Sequence, residues 1–334
     1  MIGIGIIGFG YWGPNLLRNF ANLETARVVA VADSREDRFL KASKSHPAVK
    51  FTGDAGFIFS NPEIDAVVIA TPVLSHHTLA LKALKAGKHV LIEKPMAASI
   101  KECEELMELA ASKKLLLMVD HTFLYTGAVK KLKEISDSGD LGTLRYYDST
   151  RINLGLFQAD VNVLWDLAPH DISILNYLVK EQPVCLNATG ISHLNNGIEN
   201  IAYITMKYQN GLIAHFNCSW TSPVKIRQIL IGGDKKMVLF NDMDPSEKLK
   251  VYDTGYSVKS DEDKRDMLIN YRTGDVYCPK IEIVEALQGV AHDFVNSIVN
   301  GTQPVSNMHL GLQVVSILEA ASRSIRQNGA EVRL

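Results

Sequence analysis

Short apolar runs alternate with helical patterns over the first 120 residues of the chain. The runs IGIGII, RVVAVAD and IDAVVIATP come first, and KHVLIEKP and LLLMVD follow with the helical pattern SIKECEELMELAASKK between them. Continuous apolar runs of this length are typical of strands that are buried on both faces of a sheet. Strands that alternate with helices therefore predict a doubly wound parallel α/β sheet over residues 1–120.

The pattern changes after residue 120. The segments GAVKKLKEISDSGDLG and WDLAPHDISILNYLV have helical periodicity, and TLRYYDSTRINLG between them alternates as a half-exposed strand does. Further strand patterns then follow without helices between them, and two helices around 281–300 and 310–328 close the chain. Successive strands joined by Gly/Asn turns are typical of antiparallel sheets. We expect a second, α+β domain over residues 121–334, with a large, mostly antiparallel, open-faced sheet.

The composition argues against several classes of protein. The 334 residues include 35 Lys and Arg against 37 Asp and Glu, so the net charge of -2 gives no general attraction to nucleic acid or to an anionic membrane. The 4 cysteines are far apart, and the histidines have no ligand-like spacing, so we expect reduced thiols and no metal site. No apolar run approaches the roughly 20 residues that cross a bilayer, and no signal-peptide pattern is present. These features predict a soluble cytoplasmic protein.

The first strand pattern ends in a glycine-rich motif. Residues 8–13 fit G-x-G-x-x-G and comprise Gly8, Phe9, Gly10, Tyr11, Trp12 and Gly13. Pro14 follows, and proline suits the first turn of a helix because its missing N–H would have no partner there. A turn of this kind brings backbone N–H groups and a helix N-terminus against a pyrophosphate. The motif therefore predicts a dinucleotide-binding turn in which these six residues contact the cofactor.

An acidic residue follows the second strand pattern at the spacing expected of a dinucleotide-binding fold. Asp33 lies 20 residues after Gly13, where such folds place the carboxylate that binds the adenosine ribose. Its charge favours NAD, because it would repel the 2′-phosphate of NADP. Ser34 and Arg35 follow directly and could hold that phosphate, so NADP stays open as an alternative.

Polar residues lie at the ends of three predicted parallel strands, where open α/β sheets bind their ligands. These positions are Thr71-Pro72, Glu93-Lys94-Pro95 and Asp120-His121. We expect Lys94 beside the nicotinamide half of the cofactor and Glu93 near a ribose hydroxyl. The further predicted cofactor contacts are Thr71, Pro72, His76 and His121.

Several motifs resemble those of the Gfo/Idh/MocA oxidoreductases, the family of glucose–fructose oxidoreductase and inositol dehydrogenase. They are the glycine motif, ATPVLSHHTLALKALKAGKHVLIEKPMA, ISDSGDLG, the pair Asp166-x-x-x-His170 and VAHDFVNSIVNGTQP. The resemblance covers nearly the whole chain and implies an N-terminal Rossmann domain followed by an α/β domain whose sheet often serves in oligomer contacts. It therefore implies a homodimer or homotetramer that assembles through the C-terminal sheet.

Other segments resemble the branch of this family that acts on nucleotide-linked sugars, of which the UDP-N-acetylglucosaminuronate 3-dehydrogenases are an example. They are GYWGPNLLRNF, HTFLY and STRINLGLFQADVNVLWDLAPHDISIL. The chain departs from the family pattern after the last Rossmann strand, where many members have adjacent arginines and this chain has HTFLY at 121–125. Substrate contacts that relatives make there are not carried over.

The resemblance assigns catalysis to the lysine of Glu-Lys-Pro and to the Asp-x-x-x-His pair. Lys94 would polarise the substrate hydroxyl, and His170 would act as general base, although which of the two accepts the proton stays open. Asp166 and His170 are four residues apart on a predicted helix, so they share a face, and Asp166 would bind or orient the substrate hydroxyl. The alternative for Asp166 is an acid that caps the N-terminus of its own helix.

Three more residues are predicted substrate contacts beside the catalytic ones. Arg151 and Asn153 alternate along one strand and so share a face, where they could meet a carboxylate or phosphate of the substrate. Trp165 could stack on a sugar or nucleobase, and packing in the core is its alternative.

The sequence thus predicts an NAD(P)-dependent dehydrogenase that transfers a hydride between a sugar carbinol and nicotinamide, with NAD as the favoured cofactor. A nucleotide-linked amino sugar or uronate, oxidised at C3, is the expected substrate. An inositol or free-sugar dehydrogenase and a non-catalytic dinucleotide-sensing regulator on the same fold are the alternatives. A sensor has no need of Lys94 or of the Asp166 and His170 pair, which favours the enzyme.

Overall fold

The computed structural model describes residues 1–39, 42–155, 157–194, 197–257 and 270–334. The chain forms two compact units. The first comprises Met1–Thr126 and Val284–Ser316, and the second comprises Gly127–Ile283 and Ile317–Leu334. The predicted domains, 1–120 and 121–334, are continuous stretches of chain, whereas the first unit also includes a segment close to the C-terminus.

The first unit contains a six-stranded parallel sheet, as the apolar runs predict. Its strands are β1 (Ile2–Ile7), β2 (Ala26–Ala32), β3 (Lys50–Thr52), β4 (Ala66–Ile69), β5 (His89–Glu93) and β6 (Leu117–Asp120). They lie in the order β3-β2-β1-β4-β5-β6, with every neighbouring pair parallel. The strand order reverses between β1 and β4, and α/β sheets bind their ligands at the carboxyl ends of strands around such a reversal.

In the central strands of this sheet, charged residues lie only at the carboxyl edge. Apart from His89 and Glu93 at the two ends of β5, the central strands β1, β4 and β5 are built of Ile, Val, Leu, Ala and Gly, and nearly all of their residues are buried. β-Branched side chains on both faces suit strands that are covered on both sides. Asp33 follows β2 directly, and Glu93 and Asp120 are the last residues of β5 and β6. Apolar residues thus form the strands, and the acidic residues Asp33, Glu93 and Asp120 lie at the carboxyl ends of β2, β5 and β6.

The second unit contains a nine-stranded, mostly antiparallel sheet. The remaining strands are β7 (Leu144–Leu154), β8 (Pro183–Ile191), β9 (Ile201–Tyr208), β10 (Ile213–Ser219), β11 (Thr221–Gly233), β12 (Met237–Asn241), β13 (Leu249–Tyr252), β14 (Gly255–Ser257), β15 (Asn270–Arg272), β16 (Val276–Tyr277) and β17 (Val332–Arg333). The sheet order is β16-β13-β12-β11-β7-β10-β9-β8-β17, and β14 pairs separately with β15. β7 and β10 are parallel neighbours within this sheet. Buried and more exposed residues alternate along β9 and β10, so among the described residues one face of these strands is covered more fully than the other.

The helices, in chain order, are α1 (Gly13–Ala21), α2 (Ala42–Ser45), α3 (Gly56–Ser60), α4 (His76–Lys85), α5 (Ile100–Lys113), α6 (Gly127–Asp137), α7 (Val163–Leu178), α8 (Ala286–Asn300) and α9 (Met308–Arg326). Within the first unit α8 packs against α1, where the rings of Phe20 and Phe294 meet edge to face. Within the second unit α7 packs on β7, β9 and β10. In the part of the chain that the structure describes, no helix combines the length and apolarity of a membrane span. The predicted fold class, a doubly wound parallel sheet with a second, mostly antiparallel sheet, is confirmed.

Candidate active site

The turn after β1 brings the glycine motif against the end of β4. Gly8 has a φ of +98°, and a side chain at this position would collide with the backbone carbonyl group of Ala70. At Gly13, a Cβ atom would lie 2.8 Å from the Gly8 carbonyl oxygen. These two positions therefore require glycine. At Gly10, by contrast, a Cβ atom would meet no described atom nearer than Arg38 Nη1, at 3.7 Å.

Helix α1 begins directly after this turn. Trp12 is its N-cap residue, and the Trp12 side chain makes no cap hydrogen bond to the described chain. First-turn N–H groups without such a cap are suited to a phosphate. The Phe9 ring packs against Phe39 and Phe51, with centroids 6.0 and 5.9 Å away, and the Tyr11 side chain is exposed. An anchored turn with uncapped N–H groups fits the pyrophosphate of a dinucleotide.

Asp33, directly after β2, is a buried carboxylate held by three donors. Its Oδ2 accepts hydrogen bonds from the Phe9 N–H at 2.6 Å and from Arg38 Nη1 at 2.8 Å. Its Oδ1 accepts a hydrogen bond from the Arg35 N–H at 2.8 Å. Burial opposes the charge, but these hydrogen bonds and the Arg38 charge outweigh it, so the pKa of Asp33 is lowered. An ionised carboxylate beside the glycine turn fits a ribose hydroxyl.

Arg38 is a residue that sequence reasoning missed. Its guanidinium pairs with Asp33 and also lies beside Gly10. Ser34 and Arg35, the residues predicted to accommodate a 2′-phosphate, have exposed side chains. A position five residues after Asp33 carries no recognisable signal, because only the short 3₁₀ turn Glu36–Phe39 brings Arg38 back to the carboxylate.

The end of β4 is tied to the segment after β5 by a histidine. His76 is 1% exposed, and its Nδ1 lies 2.9 Å from the Pro95 carbonyl oxygen while its Nε2 lies 2.7 Å from the Thr71 carbonyl oxygen. Burial lowers the pKa of His76, although the two carbonyl contacts act in the opposite direction. Pro72 is exposed beside this tie. The structure gives His76 a bridging position, and its contact with a cofactor stays a prediction.

Two carboxylates lie side by side at the ends of β5 and β6. Glu93 and Asp120 are register partners in the parallel ladder, so their side chains point to the same face of the sheet. Asp120 is 1% exposed, and its Oδ1 accepts a hydrogen bond from the Thr122 hydroxyl at 2.7 Å. Its Oδ2 is buried and has no hydrogen-bond partner among the described residues. Burial raises the pKa of Asp120 to about 6.

Lys94 follows the half-buried Glu93, and its charge acts on Glu93 and on buried groups around it. Burial and the charge of Asp120 raise the pKa of Glu93 well above its ordinary value, although Lys94 opposes them. His121 is 1% exposed, and within the described ranges neither of its ring nitrogens has a hydrogen-bond partner. Burial, followed by the charge of Lys94, lowers the pKa of His121 to about 3, so the imidazole is neutral. Three of the predicted residues, together with the unassigned Asp120, thus form one electrostatic cluster.

In the second unit, helix α7 carries the predicted acid–histidine pair. The helix begins after Asn162, whose side chain accepts a hydrogen bond from the Trp165 N–H at 3.3 Å. Asn162 is therefore the cap, and the capping alternative for Asp166 is wrong. Instead, Asp166 Oδ2 accepts a hydrogen bond from Trp220 Nε1 at 2.9 Å. His170 lies about one turn further along the same helix, on the face of Asp166.

Arg151 has a different place from the one that the sequence predicts. Its Nε and Nη2 donate to the two carboxylate oxygens of Asp171, at 2.9 and 2.6 Å, and both side chains are 3% exposed. Ser149 Oγ also donates to Asp171 Oδ2 at 2.7 Å, and Tyr147 OH donates to the Asp171 carbonyl oxygen at 2.9 Å. The guanidinium therefore fixes α7 on β7 rather than being placed for a substrate anion. The sequence pattern does not reveal this pair, because it does not say which strand residue meets the residue after His170.

The other predicted substrate contacts have mixed surroundings. Trp165 Nε1 donates to Ser322 Oγ of α9 at 2.9 Å, which agrees with the packing alternative for this indole. Asn153 is half-buried on β7, and its substrate contact stays a prediction. Among the described residues, no three His, Cys, Asp or Glu side chains group in a way that could hold a metal ion.

Comparisons with known proteins agree with this geometry. Residues 2–121 match the family model described as "Oxidoreductase family, NAD-binding Rossmann fold". Residues 129–239 match the model described as "GFO/IDH/MocA C-terminal domain". Together the two matches span more than half of the chain.

Individual relatives are distant. The chain is 27% identical over 218 residues to the UDP-N-acetylglucosamine 3-dehydrogenase of Acidithiobacillus ferrooxidans, which covers 64% of this chain and 66% of that protein. It is 23% identical over 247 residues to the myo-inositol 2-dehydrogenase of Thermotoga maritima, covering 71% of this chain and 72% of that one. A solved structure of the Acidithiobacillus enzyme has a TM-score of 0.81 and 22% identity, over 98% of this chain and 100% of that one, and so supports the fold. The chain belongs to the Gfo/Idh/MocA family of oxidoreductases, with an NAD-binding Rossmann fold in its N-terminal region.

Proposed function

We propose that this protein is an NAD-dependent dehydrogenase that transfers a hydride between a sugar carbinol and nicotinamide. The observation that carries the proposal is the cluster at the ends of β5 and β6. The charge of Lys94 acts on the half-buried Glu93 and on the buried Asp120 and His121, which a lysine at a fully solvated strand end would not do. Perturbed groups gathered at the ligand-binding edge of such a sheet favour catalysis over dinucleotide sensing.

Each predicted catalytic residue has a distinct role in this proposal. Lys94 donates to the substrate hydroxyl oxygen and stabilises the negative charge that develops there. His170 accepts the hydroxyl proton as general base, because an imidazole exchanges protons near neutral pH. Asp166, whose carboxylate is oriented by Trp220, binds the substrate hydroxyl. Bound NAD supplies the hydride acceptor.

The residues of the first unit fit that cofactor. The turn from Gly8 to Gly13 and the start of α1 would hold the pyrophosphate, and Asp33 would hold the adenosine ribose. The lowered pKa of Asp33 keeps the carboxylate ionised, which supports NAD over NADP. Arg38 pairs with Asp33, so a second cation besides Arg35 lies near the position that the 2′-phosphate of NADP would take. The assay should therefore include both NAD and NADP.

For the substrate we propose a nucleotide-linked amino sugar or uronate that is oxidised at C3. The likeness to a UDP-N-acetylglucosamine 3-dehydrogenase supports this choice. Because Arg151 is paired with Asp171, recognition of a substrate phosphate or carboxylate falls to other side chains, and Asn153 and Trp165 remain proposed contacts. Oxidation of an inositol or a free sugar is the second candidate, and the likeness to a myo-inositol 2-dehydrogenase favours it.

We also propose that the protein is a homodimer or homotetramer built through the less covered face of the second unit's sheet. Tyr146, Tyr203 and Ile213 are exposed on β7, β9 and β10, and the Tyr203 ring stacks on His215. Aromatic and aliphatic side chains gathered on one exposed face suit a contact between proteins. Sedimentation equilibrium measures the assembly, and a monomer at micromolar concentration would contradict this proposal.

Nicotinamide absorbance tests the reaction. Purified protein is mixed with NAD or NADP and with UDP- and dTDP-linked sugars, inositols and free sugars in turn. We expect turnover with a nucleotide-linked sugar and a loss of roughly 10²- to 10⁴-fold in kcat for Lys94→Met. Lys101→Met, at an exposed lysine near the start of α5, is the matched control and should retain activity. Turnover with inositols alone favours the second candidate, and no turnover with any sugar or polyol contradicts the enzyme.

A further inference from the structure

The chain enters the protein interior directly after the proposed catalytic lysine. Lys94 is half-buried, whereas Pro95 and Met96, which follow it, are buried. A Cβ atom at Gly311 of α9 would lie 3.3 Å from the Met96 sulfur, so this segment packs against the start of that helix. Because proline has no N–H group, its carbonyl oxygen is the only backbone atom through which a hydrogen bond can hold Pro95. A contact with that oxygen therefore holds the backbone next to Lys94.

His76, at the start of α4, makes this contact. Its imidazole is 1% exposed, with Nδ1 2.9 Å from the Pro95 carbonyl oxygen and Nε2 2.7 Å from the Thr71 carbonyl oxygen. The ring thus joins the chain that follows β4 to the chain that follows β5. Both segments lie at the carboxyl edge of the parallel sheet, where such sheets bind their ligands.

The Thr71 side of this bridge is anchored independently of His76. A hydrogen bond of 2.7 Å joins Thr71 Oγ1 to Ser75 Oγ. The Thr71 methyl group also lies against the glycine turn, since a Cβ atom at Gly8 would be 2.9 Å from Thr71 Cγ2. His76 therefore joins Pro95 to a segment that already has a fixed place beside the predicted pyrophosphate turn.

We propose that His76 is a positioning residue for Lys94, which it holds in place by joining the Pro95 carbonyl group to the anchored segment after β4. The inference rests on the proposed function of Lys94 as the group that polarises the substrate hydroxyl. In this role His76 acts through Lys94 and contacts no reacting atom. Displacement of a reacting group by about 1 Å can lower turnover about 10²-fold, so a lost contact behind the lysine is measurable in kcat.

Variants that keep one ring-nitrogen contact at a time test this role. Asparagine places a carboxamide nitrogen near the position of Nδ1 and can donate to Pro95, whereas glutamine places one near Nε2 and can donate to Thr71. We expect kcat to fall roughly 10- to 100-fold in His76→Leu and His76→Gln, but by less than about fivefold in His76→Asn. The affinity for NAD should stay within about twofold of the wild type, because the glycine turn and Thr71 keep their anchors.

His77→Leu is the matched control. The side chain of His77 is partly exposed and its Nε2 lies 2.9 Å from Glu105 Oε2, so this variant should retain full activity. A histidine that only stabilises the fold would not give this order of kcat values among the three His76 variants. Equal kcat values in the three variants, recovery in His76→Gln rather than in His76→Asn, or an NAD affinity that falls together with kcat would overturn the proposal.

The environment of the Lys94 amine can be measured without turnover. The lysines are reductively methylated with isotopically labelled formaldehyde, and the methyl signal that Lys94→Met lacks in the NMR spectrum is that of Lys94. This signal should shift in His76→Leu and His76→Gln and keep its wild-type position in His76→Asn, while the signal of the exposed Lys101 stays in place. An unchanged Lys94 signal in His76→Leu would overturn the proposal. Failure of the wild type to turn over any substrate refutes the proposed function, while this signal still decides whether His76 positions Lys94.

Discussion

Two buried clusters of polar and charged side chains in this molecule differ greatly in how many of their polar atoms have hydrogen-bond partners. In the second unit, Arg151 and Asp171 meet in a bidentate pair, with a hydroxyl of Ser149 on the same carboxylate. In the first unit, Asp120 and His121 are equally buried, yet polar atoms of both have no partner among the described residues. A buried charge that is fully paired fixes the fold, whereas a buried polar atom left without a partner lowers stability by about 1–3 kcal/mol. The contrast distinguishes a cluster that serves structure from one that is available for chemistry.

The largest expected effect comes from breaking the satisfied pair. Asp171→Ala leaves the Arg151 guanidinium buried without its carboxylate, so the free energy of unfolding should fall by about 3–5 kcal/mol. Urea unfolding of both proteins, followed by circular dichroism, measures the difference. Asp148→Ala is the control. Asp148 is an exposed carboxylate on β7, the strand of Arg151, and contacts His215 at the surface. Its removal should lower the free energy of unfolding by at most about 1 kcal/mol. Equal losses in the two variants would remove the contrast.

Removal of the Asp120 carboxyl should raise the free energy of unfolding above about pH 6, whereas removal of the Asp171 carboxyl lowers it. The pKa of Asp120 is raised in the folded state from 3.8 to about 6, so the folded protein binds this proton more tightly than the unfolded chain does. Wild-type stability therefore falls as the pH rises from about 4 to about 6, by up to about 3 kcal/mol. Asp120→Asn should escape that loss.

Urea unfolding of wild type and Asp120→Asn at pH 4 and at pH 8 gives the comparison. The free energy of unfolding of the variant, relative to that of the wild type, should be higher at pH 8 than at pH 4. A gain of the same size at both pH values, or a loss that grows toward pH 8, would show that this carboxyl is not held in its protonated form by burial.

Two buried histidines of the first unit sharpen the comparison at a smaller scale. Both ring nitrogens of His76 lie on backbone carbonyl oxygens, so His76→Leu should lower the free energy of unfolding by about 1–3 kcal/mol. His121→Leu removes polar atoms that have no partner in the described ranges, so it should leave stability unchanged or raise it. Thermal unfolding near pH 8, where both imidazoles are neutral, measures the pair. A larger loss for His121→Leu than for His76→Leu would reverse the interpretation.

The smallest expected effect concerns the partly exposed partner of Asp33. Arg38→Met should weaken NADP binding about fivefold and leave NAD binding within about twofold, because a guanidinium beside the ribose site attracts a 2′-phosphate. Isothermal titration with each dinucleotide measures the two affinities without a substrate. Arg35→Met, at an exposed position, is the matched variant. If only Arg35→Met weakens NADP binding, then Arg35, as predicted from the sequence, contacts the 2′-phosphate and Arg38 does not.

Patterns that repeat along the chain predicted much of the fold. The apolar runs located β1, β2, β4, β5 and β6, and the spacing from Gly13 to Asp33 placed a carboxylate beside the glycine turn, where the structure has it. The short strand β3 was not predicted, because three residues are too few for a strand pattern to be distinguished from a loop. Local patterns therefore predicted the elements and the ends at which polar residues collect.

Residues that meet across the fold were harder to predict. Arg151 was expected to meet substrate because it is charged and shares a face with Asn153, but its partner is Asp171, on a different element. Trp220 on Asp166 and Arg38 on Asp33 were missed for the same reason. The Asp120 position was visible as a strand end, but its pairing with Glu93 depends on the register of β5 and β6, which no local pattern encodes.

The cap that starts α7 has a consequence for altering substrate range by design. Because Asn162 sets the first turn, chain inserted upstream of it leaves the direction of Asp166 and His170 along the helix unchanged. One residue inserted between Asn162 and Asp166 would instead rotate the first turn by about 100° relative to the rest of the helix, so the Asn162 cap and the Arg151–Asp171 pair could not both keep their places. Loop grafts that aim at a new sugar should therefore end before the cap.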